Sequence, residues 1–147
     1  MNAKRIQMEF KSLNEKSPGR ATAEFVEDNI NNWNISFPGP AGTPYEGFRI
    51  KLHLTLPAKY PHQAPDVRVS PPIFHPNVDE NGDICWGEDH YKASMHILDI
   101  VQIIIDMLKN PNIEKVRDME AGKLYAENRP QFDKIVKQKL ASTHSKL

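Results

Sequence analysis

The sequence predicts an α+β fold, with one helix before a four-stranded antiparallel sheet and three helices after it. Residues 3–13 repeat apolar side chains at helical spacing, residues 22–70 change to the period of two that is typical of strands, and helical spacing returns after residue 96. Because helices and strands occupy separate parts of the chain, we expect the helices to pack on one face of the sheet.

The first helix is predicted from Ile6, Phe10 and Leu13, which stand at positions i, i+4 and i+7. This spacing gives one buried stripe and leaves mainly basic faces exposed. The helix is expected to end before Pro18, because proline disfavours helical geometry in the residue that precedes it. The charged residues assigned to the exposed faces are Lys4, Arg5, Glu9 and Lys11.

The clearest strand is residues 48–56, in which apolar and polar side chains alternate without exception. The alternation predicts one face in the core, including Leu52, and one face in water. Weaker alternation predicts three more strands at residues 23–27, 33–37 and 67–70, separated by segments rich in turn residues. Four strands at such short spacing indicate an antiparallel meander.

Three helices are predicted in the last third of the chain. Residues 97–108 carry a wide face of large apolar side chains, including Ile104 and Leu108, so this helix is expected to be central and largely buried. Residues 115–127 and 130–141 form the other two, and the last begins at a proline, which suits the first turn of a helix.

The composition limits the classes of protein to which the chain can belong. A chain of 147 residues fits one domain, assigned to residues 1–147, that can bury a core without disulfides or metal. Its 19 basic and 19 acidic side chains cancel, so no overall charge favours nucleic acid or an acidic membrane. Charged residues interrupt any hydrophobic run in residues 1–16. We expect a monomer of the cytoplasm or nucleus that binds neither nucleic acid nor membranes.

The sequence lacks the motifs of several enzyme classes. It has no phosphate-binding glycine loop, no dinucleotide fingerprint and no zinc-binding histidine pair, and its six histidines are scattered, so no metal or cofactor is expected. Residues 79–83 resemble part of a calcium loop, but their glycine is fourth rather than sixth. A plain Asn-Gly turn is the preferred interpretation.

Cys85 is the single cysteine, which excludes an internal disulfide and a cysteine-rich zinc site. A lone cysteine is more often a small buried side chain than a nucleophile. This one, however, lies among polar and flexible neighbours in residues 72–96, a segment without periodicity, and such segments are usually functional or disordered. We therefore predict an accessible thiol. A cysteine protease would need His75 or His90 as its base, and the sequence places neither beside the sulfur.

The segment around Cys85 resembles the active-site segment of ubiquitin-conjugating enzymes. Residues 74–78 read Phe-His-Pro-Asn-Val and residues 81–85 read Asn-Gly-Asp-Ile-Cys, with the spacing that the family has between them. Because several separated motifs agree in content and spacing, the sequence is identified as a member of this family over residues 1–141. The other matching features are Lys4-Arg5-Ile6, Trp33, Gly39-Pro40, Thr43-Pro44-Tyr45-Glu46-Gly47, Tyr60-Pro61 and Ala64-Pro65.

The resemblance implies a function for this segment. Cys85 would accept ubiquitin or a ubiquitin-like protein from an activating enzyme as a thioester, which a lysine amine then attacks, usually with a ligase. Asn77 would support the active-site loop or stabilise the oxyanion of that attack. His75 and Pro76 would support the site, with His75 mainly a packing and hydrogen-bonding residue. No cofactor is implied, since the activating enzyme uses the ATP.

The same resemblance assigns contacts with protein partners. The basic face of the first helix is expected to bind the activating enzyme, and two loops are expected to bind the ligase. The assigned positions are Lys4 and Arg5 for the activating enzyme, and Pro61, His62, Ala93 and Ser94 for the ligase.

The sequence departs from the family pattern after the cysteine, so the thioester step is a firmer expectation than transfer to lysine. Gly87 lacks the carboxylate often found at its position, the following loop is shorter, and His62 replaces an apolar ligase contact. Lys115 stands beside Glu114 where an acidic residue is common. Tyr91-Lys92-Ala93-Ser94 replaces the usual ligase-facing tetrapeptide.

Residues near Cys85 are assigned to the support of the active site. Trp86 is expected to shield the thioester or to pack in the interior. Asp89, Glu88 or Glu114 is expected to orient the incoming amine in place of the missing carboxylate. Tyr91 completes the assigned support residues.

Two other functions fit less well. A non-catalytic scaffold that binds ubiquitin would lack the cysteine. A cysteine hydrolase would need a base and an orienting partner that the sequence does not supply.

Overall fold

The computed structural model describes residues 3–147, which contain four α-helices and one four-stranded sheet. The predicted α+β order of one helix, a sheet and three helices is confirmed. No helix within residues 3–147 combines the length and the apolar character that a membrane span requires. The elements are α1 (Ala3–Lys16), β1 (Thr22–Val26), β2 (Asn29–Pro38), β3 (Arg49–Thr55), β4 (Asp66–Val69), α2 (Ile97–Lys109), α3 (Met119–Glu127) and α4 (Arg129–Thr143), with short 3-10 turns at Pro18–Arg20 and Glu88–His90.

The strands form one antiparallel sheet in the order β1-β2-β3-β4, which confirms the predicted meander. Leu52 at the centre of β3 pairs with Ile35 of β2 and Val69 of β4, and all three side chains are buried. The next residue, His53, lies on the opposite and more exposed face. The alternation along β3 therefore separates a core face from a solvent face.

The core lies between the sheet and the helices. α1 packs against β1, β2 and α2. Ile104 and Leu108 of α2 are 1% and 3% exposed, and Leu52 of the sheet is 1% exposed. The prediction that these three residues belong to the core is confirmed, and α2 is the central helix.

The structure corrects the assignment of Glu9 to an exposed face of the first helix. Glu9 is 5% exposed, because it stands three residues after Ile6 and four before Leu13, on the buried side of α1. Its carboxylate accepts hydrogen bonds from the Tyr60 hydroxyl and from the N–H of Ile97 at the start of α2. This carboxylate therefore connects α1 to α2 and to the loop after β3.

The third helix begins later than predicted. The sequence predicts a helix over residues 115–127, whereas α3 begins only after its capping residue, Asp118. The N–H groups of Arg117 and Asp118 donate to the carbonyl of Pro76 at 2.7 and 3.2 Å. Because these backbone groups bind a distant segment, residues 112–118 form a loop that is fixed to the chain around Pro76.

The segment at 72–96 is ordered by short antiparallel contacts, although its sequence has no period. Val78 pairs with His75 and with Ile84, and Asp83 pairs with Arg68 of β4. These contacts attach the cysteine-containing segment to the edge of the sheet.

Residues 79–83 form a plain turn. The Asp79 carboxylate accepts hydrogen bonds from the N–H groups of Asn81 and Asp83 at 2.9 and 3.0 Å. Gly82 has a φ of +87°, and a side chain at this position would collide with the carbonyl of Val69. The Asn-Gly sequence is thus used for a tight connection beside β4.

Candidate active site

Cys85 lies in an extended segment whose backbone is fixed. Its N–H donates to the carbonyl oxygen of Asn77 at 2.9 Å, and its neighbours Ile84 and Trp86 are buried. The cysteine itself is partly exposed and is a free thiol. A partly exposed thiol on a fixed backbone is well placed to act as a nucleophile.

Asn77 is fully buried and connects the Cys85 segment to the loop before α3. Its Nδ2 donates to the carbonyl oxygens of Asn112 and Lys115, both at 2.8 Å, and its Oδ1 accepts from the N–H of Asn112 at 2.9 Å. Both N–H bonds of the amide are therefore used to hold the loop. In this conformation, donation to an oxyanion would require one of them to be released.

His75, two residues before Asn77, is also fully buried. Its Nδ1 accepts a hydrogen bond from the N–H of Asn77 at 2.9 Å, so the ring proton is on Nε2, which donates to the Met107 carbonyl at 2.9 Å. Burial lowers the pKa of His75 to about 4, against a smaller opposite effect of the Met107 carbonyl. The imidazole is neutral at pH 7 and positions the backbone of Asn77.

Within residues 3–147 no histidine is placed as the base that a cysteine hydrolase uses. Both ring nitrogens of His75 have other partners, and the exposed His90 has its Nε2 3.6 Å from the Asp89 carboxylate. Across residues 3–147 no histidine nitrogen is hydrogen bonded to the sulfur of Cys85. Those residues also contain no group of three or more side chains placed to hold a metal ion.

Trp86 packs inward beside the cysteine. Its side chain is 5% exposed and meets the ring of Tyr91 edge to face, with the ring centroids 6.4 Å apart. The Tyr91 hydroxyl donates to the Pro61 carbonyl at 2.7 Å. Of the two roles expected for Trp86, this geometry corresponds to packing, which connects the segment after Cys85 to the loop that contains Pro61.

The carboxylates near the cysteine differ in their contacts. The Nζ of Lys115 lies 3.1 and 3.4 Å from the two oxygens of Asp89. This hydrogen bond is the main cause of the lowered pKa of Asp89 and of the raised pKa of Lys115. Glu88 accepts a hydrogen bond from the N–H of Trp86 at 2.8 Å, and Glu114 is exposed. Of the three candidates for orienting an amine, Asp89 is therefore the one already bound to an ammonium group.

Comparison with known proteins shows the family of this chain. The family described as ubiquitin-conjugating enzyme matches residues 5–140. The chain belongs to the ubiquitin-conjugating enzyme family.

Individual members of the family cover nearly the whole chain. A protein of Acanthamoeba polyphaga mimivirus, named a probable ubiquitin-conjugating enzyme E2, is 34% identical over 99% of this chain and 96% of its own length. Ubiquitin-conjugating enzyme E2 2 of Saccharomyces cerevisiae is 31% identical over 92% of this chain and 80% of its own. A solved ubiquitin-conjugating E2 domain of Toxoplasma gondii matches with a TM-score of 0.88 at 26% identity, covering 99% of this chain and all of that domain.

The fold brings the two loops expected to bind the ligase close to α1. The Nη2 of Arg5 donates to the carbonyls of Ala93 and Met95 at 2.9 and 3.0 Å, while Tyr91 holds Pro61 from the other side. The two loops are thus joined directly by the hydrogen bond from Tyr91 to Pro61. Their exposed positions include His62 and Ser94.

The basic face of α1 is smaller than the sequence predicts. The Nε of Arg5 pairs with the buried carboxylate of Glu9 at 2.9 Å, so this side chain is turned toward the interior. Lys4 and Lys11 are exposed, and Lys11 lies 3.8 Å from Glu15. Lys4 and Lys11 are therefore the exposed cations of this face, and Arg5 is partly exposed.

Sequence reasoning missed the role of two charged residues. Glu9 could have been found from its helical spacing to Ile6 and Leu13, which places it on the buried stripe. The Lys115 contact with Asp89 joins residues 26 positions apart, and no local pattern predicts it.

Proposed function

We propose that Cys85 receives ubiquitin or a ubiquitin-like protein from an activating enzyme as a thioester and that the enzyme then transfers it to a lysine amine, usually together with a ligase. The observation that carries this proposal is the position of Cys85. The only thiol of the chain is partly exposed on a backbone held by Asn77, in a member of the ubiquitin-conjugating enzyme family.

The proposed reaction consists of two acyl transfers. In the first, the Cys85 thiolate attacks the thioester carried by the activating enzyme, a new S–C bond forms, and the activating enzyme's thiolate leaves. In the second, a neutral lysine amine attacks the carbonyl, an N–C bond forms, the Cys85 thiolate leaves, and the amine gives up a proton. Neither step uses a metal or a redox cofactor, and ATP is consumed by the activating enzyme.

The proposed partners follow from the family and from the exposed surfaces. Lys4 on α1 is the proposed contact for the activating enzyme. Pro61 and His62 on one loop, and Ala93 and Ser94 on the other, are the proposed contacts for a ligase. Tyr91 and Arg5 connect these loops to the interior, so a ligase bound there would contact a surface that is continuous with the Cys85 segment. The proposed place of action is the cytoplasm or the nucleus.

The experiment that tests this function is a loading assay. The enzyme is incubated with activating enzyme, ATP and ubiquitin, and the products are separated with and without thiol reductant. We expect an adduct that the reductant removes. Cys85→Ala should abolish this adduct, and Cys85→Ser should give an adduct that survives reductant, because an oxyester is not cleaved by thiols. Circular dichroism of both variants checks that they are folded.

The possible modifiers are compared in parallel, each with its own activating enzyme. If no modifier gives a reducible adduct with the folded wild type, the enzymatic proposal is wrong, and noncovalent binding of ubiquitin then supports the scaffold alternative. A reducible adduct on Cys85→Ala would also contradict the assignment, because the chain has no other thiol.

A further inference from the structure

One buried residue fixes both Cys85 and Lys115. The carbonyl of Asn77 accepts the N–H of Cys85 at 2.9 Å, and its side-chain amide donates to the carbonyl of Lys115 at 2.8 Å. Asn77 itself is fully buried. The backbones of Cys85 and Lys115 are therefore both attached to Asn77.

The Lys115 side chain reaches the turn that follows Cys85. Asp89 lies in the 3-10 turn Glu88–His90 that follows Cys85, and its oxygens are 3.1 and 3.4 Å from the Nζ of Lys115. The positive charge of Lys115 also interacts with the Cys85 side chain and with Glu88. A primary ammonium group is thus bound to a carboxylate of the turn that follows the candidate nucleophile.

The other carboxylates around the cysteine are placed differently. Glu88 accepts the N–H of Trp86 at 2.8 Å, and Asp83 pairs with Arg68 at 3.3 Å. Residue 87, between Trp86 and Glu88, is a glycine. In the segment after Cys85, Asp89 is the carboxylate that does not bind the backbone of Trp86. Its partner, Lys115, has the same functional group as an acceptor lysine.

We propose that Lys115 determines the amine specificity of this enzyme: its ammonium group occupies, on Asp89, the position that an acceptor lysine takes before it attacks the thioester. The proposal rests on the proposed function. While the ion pair is closed, Asp89 is not available to hold an incoming amine, so discharge to small free amines is slow. When it opens, an acceptor amine binds Asp89 and attacks. The N–C bond forms, the C–S bond breaks, and the surplus proton of the amine passes to Asp89 or to water.

The expected effect is modest, because the ion pair is solvent-exposed. The side chains of Lys115 and Asp89 are 42% and 61% exposed, and exposed ion pairs close only part of the time. We expect release of Asp89 to accelerate discharge by about two- to five-fold, as such weak pairs allow. High salt should reduce this difference, because it screens an exposed pair.

The test measures single-turnover discharge. The enzyme is loaded with ubiquitin, the activating enzyme is stopped by removing ATP, and free lysine is added. The loss of the reducible band is then followed, normalised to the fraction loaded. The variants are Lys115→Ala, Lys115→Arg, Asp89→Ala and the double variant Lys115→Ala with Asp89→Ala. The control is Lys134→Ala, because Lys134 is an exposed lysine on α4.

Lys115→Ala should discharge faster than the wild type by the stated factor, whereas Lys115→Arg, which keeps the cation on Asp89, should remain slow. The double variant should lose the gain, because it has no carboxylate to receive the amine. At 1 M salt, where the screening length is about 3 Å, the discharge rate of Lys115→Ala should approach that of the wild type. Lys134→Ala should discharge at the wild-type rate.

Two results would overturn the proposal. One is a discharge rate of Lys115→Ala at or below the wild-type rate. The other is a reductant-resistant adduct on the wild type that peptide mapping places on Lys115, since Lys115 would then be an acceptor itself. Failure of the proposed function is seen separately and earlier, as absence of the loaded band in every variant.

Discussion

Replacing Asn77 by alanine tests how this residue contributes to the reaction. The substitution removes three hydrogen bonds, of which two go to the carbonyls of Asn112 and Lys115 and one comes from the N–H of Asn112, at 2.8, 2.8 and 2.9 Å. The positioning role requires that the loop at 112–118 loosens when these bonds are lost. An oxyanion role alone requires only that the transition state is affected.

The expected loss of stability follows from the number of hydrogen bonds removed and from their surroundings. A neutral hydrogen bond contributes about 0.5–1.5 kcal/mol, and a buried partner that is left without one costs more. Asn112 is exposed, so water can replace part of the loss. We therefore expect Asn77→Ala to lower the free energy of unfolding by about 1.5–3 kcal/mol. Discharge of the thioester should slow more than loading, because the loosened loop also carries Glu114, one of the residues expected to orient the acceptor amine.

Three measurements check this prediction together. Urea unfolding gives the stability, amide hydrogen exchange gives the protection of the loop, and single-turnover assays give loading and discharge. The N–H of Asn112 should lose protection first, because its acceptor is the deleted Oδ1. Asn81→Ala, at an exposed position of the neighbouring turn, is the matched control and should change none of them. Slow discharge of Asn77→Ala with unchanged stability and unchanged exchange would refute the positioning role and favour oxyanion stabilisation.

Two further predictions follow from His75 and from α1. Because the native pKa of His75 is about 4 and its ordinary value is 6.5, the unfolded chain binds the proton first as the pH falls. Wild-type stability should therefore lose about 3 kcal/mol from this group between pH 6.5 and 4, and His75→Gln should lack that part of the slope in urea unfolding. An unchanged slope would show that His75 titrates normally in the folded enzyme. Lys4→Glu should slow loading by about two- to ten-fold and weaken its salt dependence, whereas Arg5→Glu would also break the contacts with Glu9, Ala93 and Met95. Unchanged loading of Lys4→Glu would mean that this face of α1 is merely solvated.

Local periodicity was sufficient to predict the elements that bury one face against the core. The alternation at 48–56 predicts β3 and the position of Leu52, and the apolar face at 97–108 predicts α2 with Ile104 and Leu108. Both patterns report a property of the element itself, because every second or every third to fourth residue must face the same interior. No knowledge of distant residues was needed for them.

The features that local patterns did not predict depend on contacts between distant residues. α3 begins after Asp118 because the preceding N–H groups donate to Pro76. Glu9 is stable in the interior because the Tyr60 hydroxyl, 51 positions away, donates to it. Helical spacing could have placed Glu9 on the buried side of α1, but the partners of both segments are known only once the chain has folded.

The candidate site also combines features that the sequence predicts with features that only the structure shows. The strip that contains Asn77 and Cys85 was found from its motif, whereas the ion pair of Asp89 and Lys115 joins two loops whose sequences give no sign of the contact. His75 shows an intermediate case. Its motif was recognised, but its neutral state depends on its burial, against the smaller opposite effect of the Met107 carbonyl, which fixes the proton on Nε2.

These contacts give the two proposed transfers different kinds of structural support. The backbone of Cys85 is held by Asn77, and Asn77 by the buried and neutral His75, so the position of the thiol depends on the core. The groups that would meet an incoming amine, Asp89 and Lys115, are exposed and joined by a bond that salt and mutation can open. We therefore expect substitutions on this exposed side to change the proposed choice of amine without unfolding the chain. The proposed transfer to the acceptor can thus diverge in this chain while the support for the thiol is kept.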